Sequence, residues 1–340
     1  MTWYKEQGPK SDMIISTRVR IARNLADFPF AAKLSEEDAE KIINLVWEAL
    51  KPIANDFSLI KIHKLSPVKQ QALIEKHLIS PDLTGGNFPR AAIINRDESV
   101  SIMVNEEDHI RIQCLYPGFQ PDEAWNMASK IDDLLGETLN YAFHEKFGFL
   151  TSCPTNTGTG LRVSAMVHLP AIAVSGRMTG LLSQAVKSGM TVRGLYGEGT
   201  DAQGNFYQIS NQITLGYAEE ELIERFNKIV SAVCEVENSL RKQLAADVPA
   251  KLTDRIFRSY GNMRHAFMMS GKELINLVSD VRTGIYLGIL KKIPFEKLNS
   301  LMVLTMPANI TGNNSSLTAE QRDIKRAKLV KELIFHDEQL

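Results

Sequence analysis

The segment Asn105-Glu106-Glu107-Asp108-His109-Ile110-Arg111-Ile112 sets two adjacent carboxylates where a strand is about to begin, and an arginine on that strand. Three other short segments, 16–23, 153–162 and 193–198, again put arginine beside glycine or glutamate. Arginine's planar fork makes paired, charge-assisted hydrogen bonds to phosphate oxygens. Several converging forks would neutralise a polyphosphate and the charge that develops during phosphoryl transfer. Arg18, Arg20, Arg111, Arg162 and Arg193 are the candidates, and Arg18 and Arg20 share one face if their segment is extended. Glu106, Glu107 and Glu198 are the acid–base candidates. A guanidinium acceptor stays protonated far above neutral pH, so a proton must leave as phosphoryl arrives. Carboxylates from separate loops would clamp the planar cation and receive that proton. Any one of these residues alone is an ordinary solvated side chain. The argument rests on their recurrence at strand ends and tight turns.

Lesser signals accompany them. The loop Thr155–Gly160 is no Walker P-loop, since it lacks the Gly-Lys-Ser/Thr ending and precedes a strand. Its glycines either reverse the chain or let backbone approach a phosphate, and Arg162 immediately after favours the second. Cys153 opens the loop, either as a thiolate favoured by arginines or as a small packed thiol before Pro154. His77 has a nucleotide-stacking reading beside an ordinary structural one. Near the C-terminus, Arg322-Asp323-Ile324-Lys325-Arg326-Ala327 puts Arg322 and Arg326 on one helix face, which on physical grounds is a solvated charged face.

Elements that position these residues follow from the patterning. Ser35 caps a helix over 35–50 with Ala39, Ile42, Ile43, Val46 and Leu50 on one side. The runs Ala91–Ile94, Val100–Val104 and Ile110–Leu115 are strands spaced too closely for parallel pairing, hence antiparallel. A helix over 121–146 starts at Pro121. Strands follow near 149–153, 161–169, 190–196 and 206–214, with a helix over about 171–188 and an amphipathic helix at 218–244. Beyond residue 245 only helical patterns occur. The expected architecture is α+β, an antiparallel sheet flanked by helices over 1–245, followed by an all-helical domain over 246–340. With 39 basic and 40 acidic residues the chain is nearly neutral and has no Lys/Arg run, which argues against a dedicated nucleic-acid binder. The N-terminus lacks a signal-peptide pattern, no apolar run is long enough to span a bilayer, and three cysteines without CxxC spacing fit a reducing compartment. A cytoplasmic protein is the expectation.

The segments STRVRIAR (16–23), NEEDHIRI (105–112), CPTNTGTGLR (153–162) and RGLYGE (193–198) resemble, in order, the motifs of the phosphagen kinases, or ATP:guanidino phosphotransferases. The resemblance covers about residues 13–243. It implies ATP with Mg2+ as donor, the metal held mainly by phosphates and water with no protein ligand. It implies nucleotide contacts from Ser16, Thr17, Arg18, Val19 and Arg20, from His77 and Arg111, and from Arg162, Val163, Ser164, Ala165 and Met166. Arg193, Gly194, Leu195, Tyr196 and Gly197 complete that set, while Glu107 and Glu198 orient the acceptor beside Cys153. Only about a dozen residues precede STRVR, Tyr196 replaces a customary arginine, and a helical segment follows residue 245. These departures, with HLISP (77–81) and SNQITLG (210–216), resemble the bacterial branch that phosphorylates arginine side chains of proteins and marks them for Clp-protease degradation. That likeness implies a zinc-finger activator protein, a homodimer, and phosphoarginine binding by Arg322, Asp323, Arg326 and Ala327. The competing readings are a kinase of small guanidino metabolites and a non-catalytic adaptor.

Overall fold

A computed structural model describes residues 2–195, 202–246, 249–291, 293–312 and 317–335. Strand β1 (Ile14–Arg23) leads to α1 (Glu36–Ala49), whose N-cap Ser35 accepts from the Asp38 amide. Then come β2 (Phe57–Lys61), α2 (Pro67–Glu75), β3 (Ala91–Asn95), β4 (Val100–Val104), β5 (Ile110–Pro117) and α3 (Pro121–Gly136). A small hairpin, β6 (Phe143–His144) and β7 (Gly148–Phe149), precedes β8 (Leu161–His168), α4 (Pro170–Val174) and α5 (Met178–Lys187). Strands β9 (Met190–Gly194) and β10 (Phe206–Asn211) complete the sheet, and α6 (Glu219–Ala246) crosses behind it. The helices α7 (Ala250–His265), α8 (Gly271–Tyr286), α9 (Phe295–Leu304), α10 (Pro307–Thr311) and α11 (Ala319–Phe335) follow. None of the helices among the described residues is long and apolar enough to cross a membrane.

The main sheet runs β2-β3-β4-β5-β1-β8-β10-β9, and every adjacent pair is antiparallel. Because side chains alternate across a strand, the segment Arg18-Val19-Arg20-Ile21 has two opposite characters. Val19, Ile21, Ile112, Cys114, Val163, Ala165 and Ile209 belong to one buried core with residues of α1, α3 and α6. Burial of that apolar area, worth about 25 cal/mol per Å², fixes which way the strand faces. Arg18 and Arg20 are thereby turned to the other side.

That second side is only partly covered. Phe206, Met166, Leu115 and Ile15 share a core with α8, α9 and α11 and with Trp3 and Tyr4. Ala92, Ile94 and Met103 pack with Ile62, Leu78, Ile79 and Leu83. Between these two apolar clusters lies a strip where the arginines emerge.

Several boundaries differ from the pattern-based ones. Helix α3 stops at Gly136 rather than 146, because the chain turns back: Ala26 and Ala142 donate amides to the Asn140 and Asn24 carbonyls, and Tyr141 bridges to Leu25. The strand expected over 149–153 is reduced to Gly148–Phe149. The helix expected over 171–188 is two, broken at Gly176, which takes φ +70. Strand β2 and helix α2 carried too little periodicity to be read: β2 is a half-buried edge strand, and only Glu75 of α2 is fully buried.

Candidate active site

Cross-strand register assembles the cationic strip. Arg20 lies opposite both Arg162 and Gln113, and Arg18 lies opposite Ser164 and Leu115. Arg193 lies opposite Gln208, which in turn lies opposite Met166. Residues directly opposite in antiparallel pairs share a face. Arg18 Nη2 donates to Gln208 Oε1 at 3.2 Å, and Arg162 Nη2 to Ser210 Oγ at 3.2 Å. The buried Nε atoms of Arg20 and Arg162 meet no hydrogen-bond partner among the described residues. Burial, then Arg162 and Arg111, lowers Arg18 to about 10. Burial and the neighbouring guanidiniums Arg18, Arg111 and Arg162 press Arg20 well below its ordinary range, Glu106 opposing them. Arg162 is lowered by burial, Arg193 and Arg111. Like charges crowded with open donors form a receptor for a polyanion, because only an incoming anion relieves both the repulsion and the missing bonds.

The acids sit at the β4–β5 turn. Asn105 adopts φ +62 and ties the turn down through its side-chain amide, which donates to the Ala39 and Pro89 carbonyls. Glu106 is buried, 2.6 Å from Arg111, and accepts from the Ser80 hydroxyl. Glu107 is 42% exposed and 3.1 Å from the other Arg111 nitrogen; burial, only partly offset by Arg111, raises its carboxyl. One cleft of about 250 Å³ is lined by Glu107, Arg111, Arg20, Arg162, Cys153 and Asn156, among others. Glu106 does not line it. The two acids therefore divide their work: Glu106 aims Arg111, and Glu107 faces the opening. Among the described residues no three His, Cys, Asp or Glu side chains converge to hold a metal ion.

Asp108 was not singled out from the sequence, yet its buried carboxylate accepts from Asn24 and from the Ser152 amide, both at 2.7 Å. It joins the acidic turn to the loop that presents Cys153. Ser80, Gln113, Gln208 and Ser210 are further supports that sequence reasoning missed; neutral residues of common type carry no signal until register places them beside the arginines. In the loop itself, Cys153 Sγ lies 3.0 Å from Thr155 Oγ1, and Thr214 Oγ1 donates to the Thr155 and Thr157 carbonyls. Gly158 and Gly160 have φ +114 and +66, and a Cβ at either would come within 2.5 Å of this chain's own carbonyl oxygens, at Thr214 and Ala22. Close packing of the loop requires glycine at both positions, and Gly160 also lines the cleft beside Arg162.

His77 takes φ +61, stacks on Trp3 at 5.3 Å and 15°, and accepts at its carbonyl from Gln113 at 2.7 Å. Burial and Arg18 lower it to about 4, so the ring is neutral at pH 7. It lines two further chambers contiguous with the arginines. One of about 290 Å³ includes Arg18, Arg20 and Met306. The other, of about 130 Å³, includes Ser16, Ser164, Met166, Leu195 and Gln208. Four positions expected to contact the nucleotide keep their side chains out of the cleft. Val19, Val163 and Ala165 point into the core, and the buried Thr17 hydroxyl donates to the Gly118 carbonyl. Gly194 ends β9, next to Leu195; Tyr196, Gly197 and Glu198 lie outside the described residues.

The RDIKRA segment is not the uniformly solvated face its spacing predicted. Arg326 is buried and donates to the Thr305 carbonyl at 3.0 Å, the Met269 carbonyl at 2.7 Å and the Asp323 carboxylate. Ala327 is fully buried, while half-buried Arg322 reaches back to the Leu317 carbonyl.

An antiparallel sheet with a strip of open guanidinium forks and a carboxylate facing them is the signature of enzymes that move phosphoryl groups to and from guanidinium nitrogen. The chain belongs to the ATP:guanidino phosphotransferase family: the family described as "ATP:guanido phosphotransferase, C-terminal catalytic domain" matches residues 38–240. Within it the chain falls among the protein-arginine kinases, since "Protein-arginine kinase McsB C-terminal domain" matches residues 249–339. A protein-arginine kinase of Pelotomaculum thermopropionicum is 47% identical over 97% of this chain and 94% of its own length. Another, of Bacillus subtilis, is 43% identical over 97% of this chain and 92% of its own. Among solved structures, a lombricine kinase has a TM-score of 0.63 at 22% identity, covering 72% of each chain. The duplicated taurocyamine kinase of Schistosoma mansoni has the same score at 24% identity, over 72% of this chain and 37% of that one. The last two show a shared fold.

Proposed function

We propose that this chain is a protein-arginine kinase, transferring the γ-phosphoryl group of ATP to the guanidinium of arginine side chains in proteins. The observation that carries the reading is one cleft in which Arg20, Arg111 and Arg162 meet Glu107. Arg18, Arg20, Arg111, Arg162 and Arg193 hold the phosphates, and His77, Ser16, Ser164, Met166, Leu195 and Gln208 border the rest of the nucleotide. Mg2+ would be carried on the phosphate oxygens and water, since the strip offers cationic donors to phosphate and no carboxylate cage; it supplies charge neutralisation between the phosphates. Glu107, with Glu198, orients the acceptor. As the acceptor nitrogen forms its bond to phosphorus, the terminal P–O bond of ATP breaks, ADP leaves, and a carboxylate accepts the proton shed by the guanidinium.

Cys153 stands beside the acceptor. Arg322, Asp323, Arg326 and Ala327 form a phosphoarginine site in the helical part, residues 246–340, which also serves dimerisation, while residues 1–245 form the catalytic domain. A cytoplasmic setting, substrates destined for Clp-protease degradation and a zinc-finger activator protein complete the reading. The test is incubation with MgATP and both free arginine and an arginine-rich protein, followed by mass spectrometry at neutral pH, because the P–N bond is acid-labile. Phosphoarginine on the protein is expected. Turnover confined to free arginine would make the chain a metabolite kinase, and no turnover would make it an adaptor.

A further inference from the structure

Glu75, the last residue of α2, is a buried carboxylate that the proposed chemistry does not use. It accepts from the Ala308 amide at 2.8 Å and from both the backbone and side-chain amides of Asn309 at 2.9 Å. A carboxylate is kept in the interior only when its oxygens are bonded, so these contacts lock two distant segments together. On one side is the start of α10, in the helical layer; its N-cap, Met306, lines the 290 Å³ chamber with Ile74, Glu75 and His77. On the other side the chain runs directly from Glu75 into the site. The His77 carbonyl takes the Gln113 amide opposite Arg20, and the Ser80 hydroxyl bonds Glu106, which aims Arg111.

We propose that Glu75 is a positioning residue for the nucleotide: its clasp on Ala308 and Asn309 makes the helical layer one wall of the ATP cleft and holds His77 and Ser80 against the arginine strip. The inference rests on ATP occupying that cleft. Glu75→Gln in the full chain keeps the size but sets an amide N–H group against N–H donors. Losing a charge-assisted bond of this kind is expected to weaken MgATP binding about tenfold, with kcat and the KM for the arginine acceptor changed less than about twofold. Asn309→Asp, on a half-buried residue outside the cleft lining, sets two carboxylates together and should do the same.

The readouts are MgATP affinity by titration calorimetry, the separate KM values, and melting temperature for each variant. Single variants that bind MgATP like the wild type would overturn the proposal. A loss that lowers kcat and both KM-derived efficiencies alike, in step with melting temperature, would overturn it too, by reducing Glu75 to a purely structural tie. A wild-type protein without affinity for MgATP would remove the functional reading and this inference together; wild-type binding with an indifferent Glu75→Gln removes this inference alone.

Discussion

Two groups of arginines occupy this molecule. In the cleft, Arg18, Arg20 and Arg162 face one another across β1 and β8, and two of the three keep an unpartnered buried Nε. At the structural seams, Arg23, Arg241 and Arg326 are more deeply buried than the half-buried cleft arginines and are met by protein acceptors. Arg23 lies 2.6 Å from Asp132 and donates to the Thr159 carbonyl; Arg241 pairs with Glu237 at 2.7 Å and donates to the His168 carbonyl. Depth and partners together separate the cleft arginines from the structural ones, and the partners say why. A satisfied fork holds the fold, whereas a fork facing like charge stores an unfavourable interaction that a bound polyphosphate removes.

The contrast breaks most visibly at Arg23. Arg23→Ala strands the Asp132 carboxylate, whose pKa burial already raises, and should cost about 3–5 kcal/mol of stability in urea unfolding. Arg20→Met should do the opposite: the ATP-free protein melts no lower than wild type, while phosphoryl transfer falls about 10²–10³-fold and MgATP no longer raises the melting temperature. If Arg20→Met melted as early as Arg23→Ala, the distinction between the two groups would collapse.

Glu107→Gln, across the cleft from the arginines, should lower kcat about a hundredfold with the KM for ATP little changed. Because the Glu107 carboxyl is raised, chiefly by burial, the acid limb of wild-type activity should lie above the ordinary glutamate range, the ionised form being the one that accepts a proton. Rate against pH, in wild type and variant, checks both. The smallest effect concerns His77. Its folded value of about 4 lies below the ordinary 6.5, so the unfolded chain takes up the proton first as pH falls. Stability should be full above about pH 6.5 and decline toward pH 4, and His77→Gln should flatten that decline in melting temperature against pH.

Much of this was legible in one dimension. Alternation in Arg18-Val19-Arg20-Ile21 and Leu161-Arg162-Val163-Ser164 announces strands with one apolar and one cationic side, and the meander over 91–117 follows from close spacing. The same alternation turns the side chains of Val19, Val163 and Ala165 toward the core, so a nucleotide contact from those positions would come through backbone. The 121–146 helix failed for a different reason: helical character persists past Gly136, but pairing of Leu25 with Tyr141 outweighs it. Glu106 and Glu107 are identical in type and adjacent, so nothing local says which is sealed against Ser80 and Arg111 and which opens to the cleft.

Local chemistry, written in residue order, settled that the chain forms a two-sided antiparallel sheet with guanidinium forks on strands and acids at a turn, because strand periodicity and turn propensity act over a few neighbours. Partnership was settled only by the folded chain. Asp132 reaches Arg23 from 109 residues away and Asn309 reaches Glu75 from 234, and contacts of that kind depend on which apolar faces pack together, not on the residues beside them.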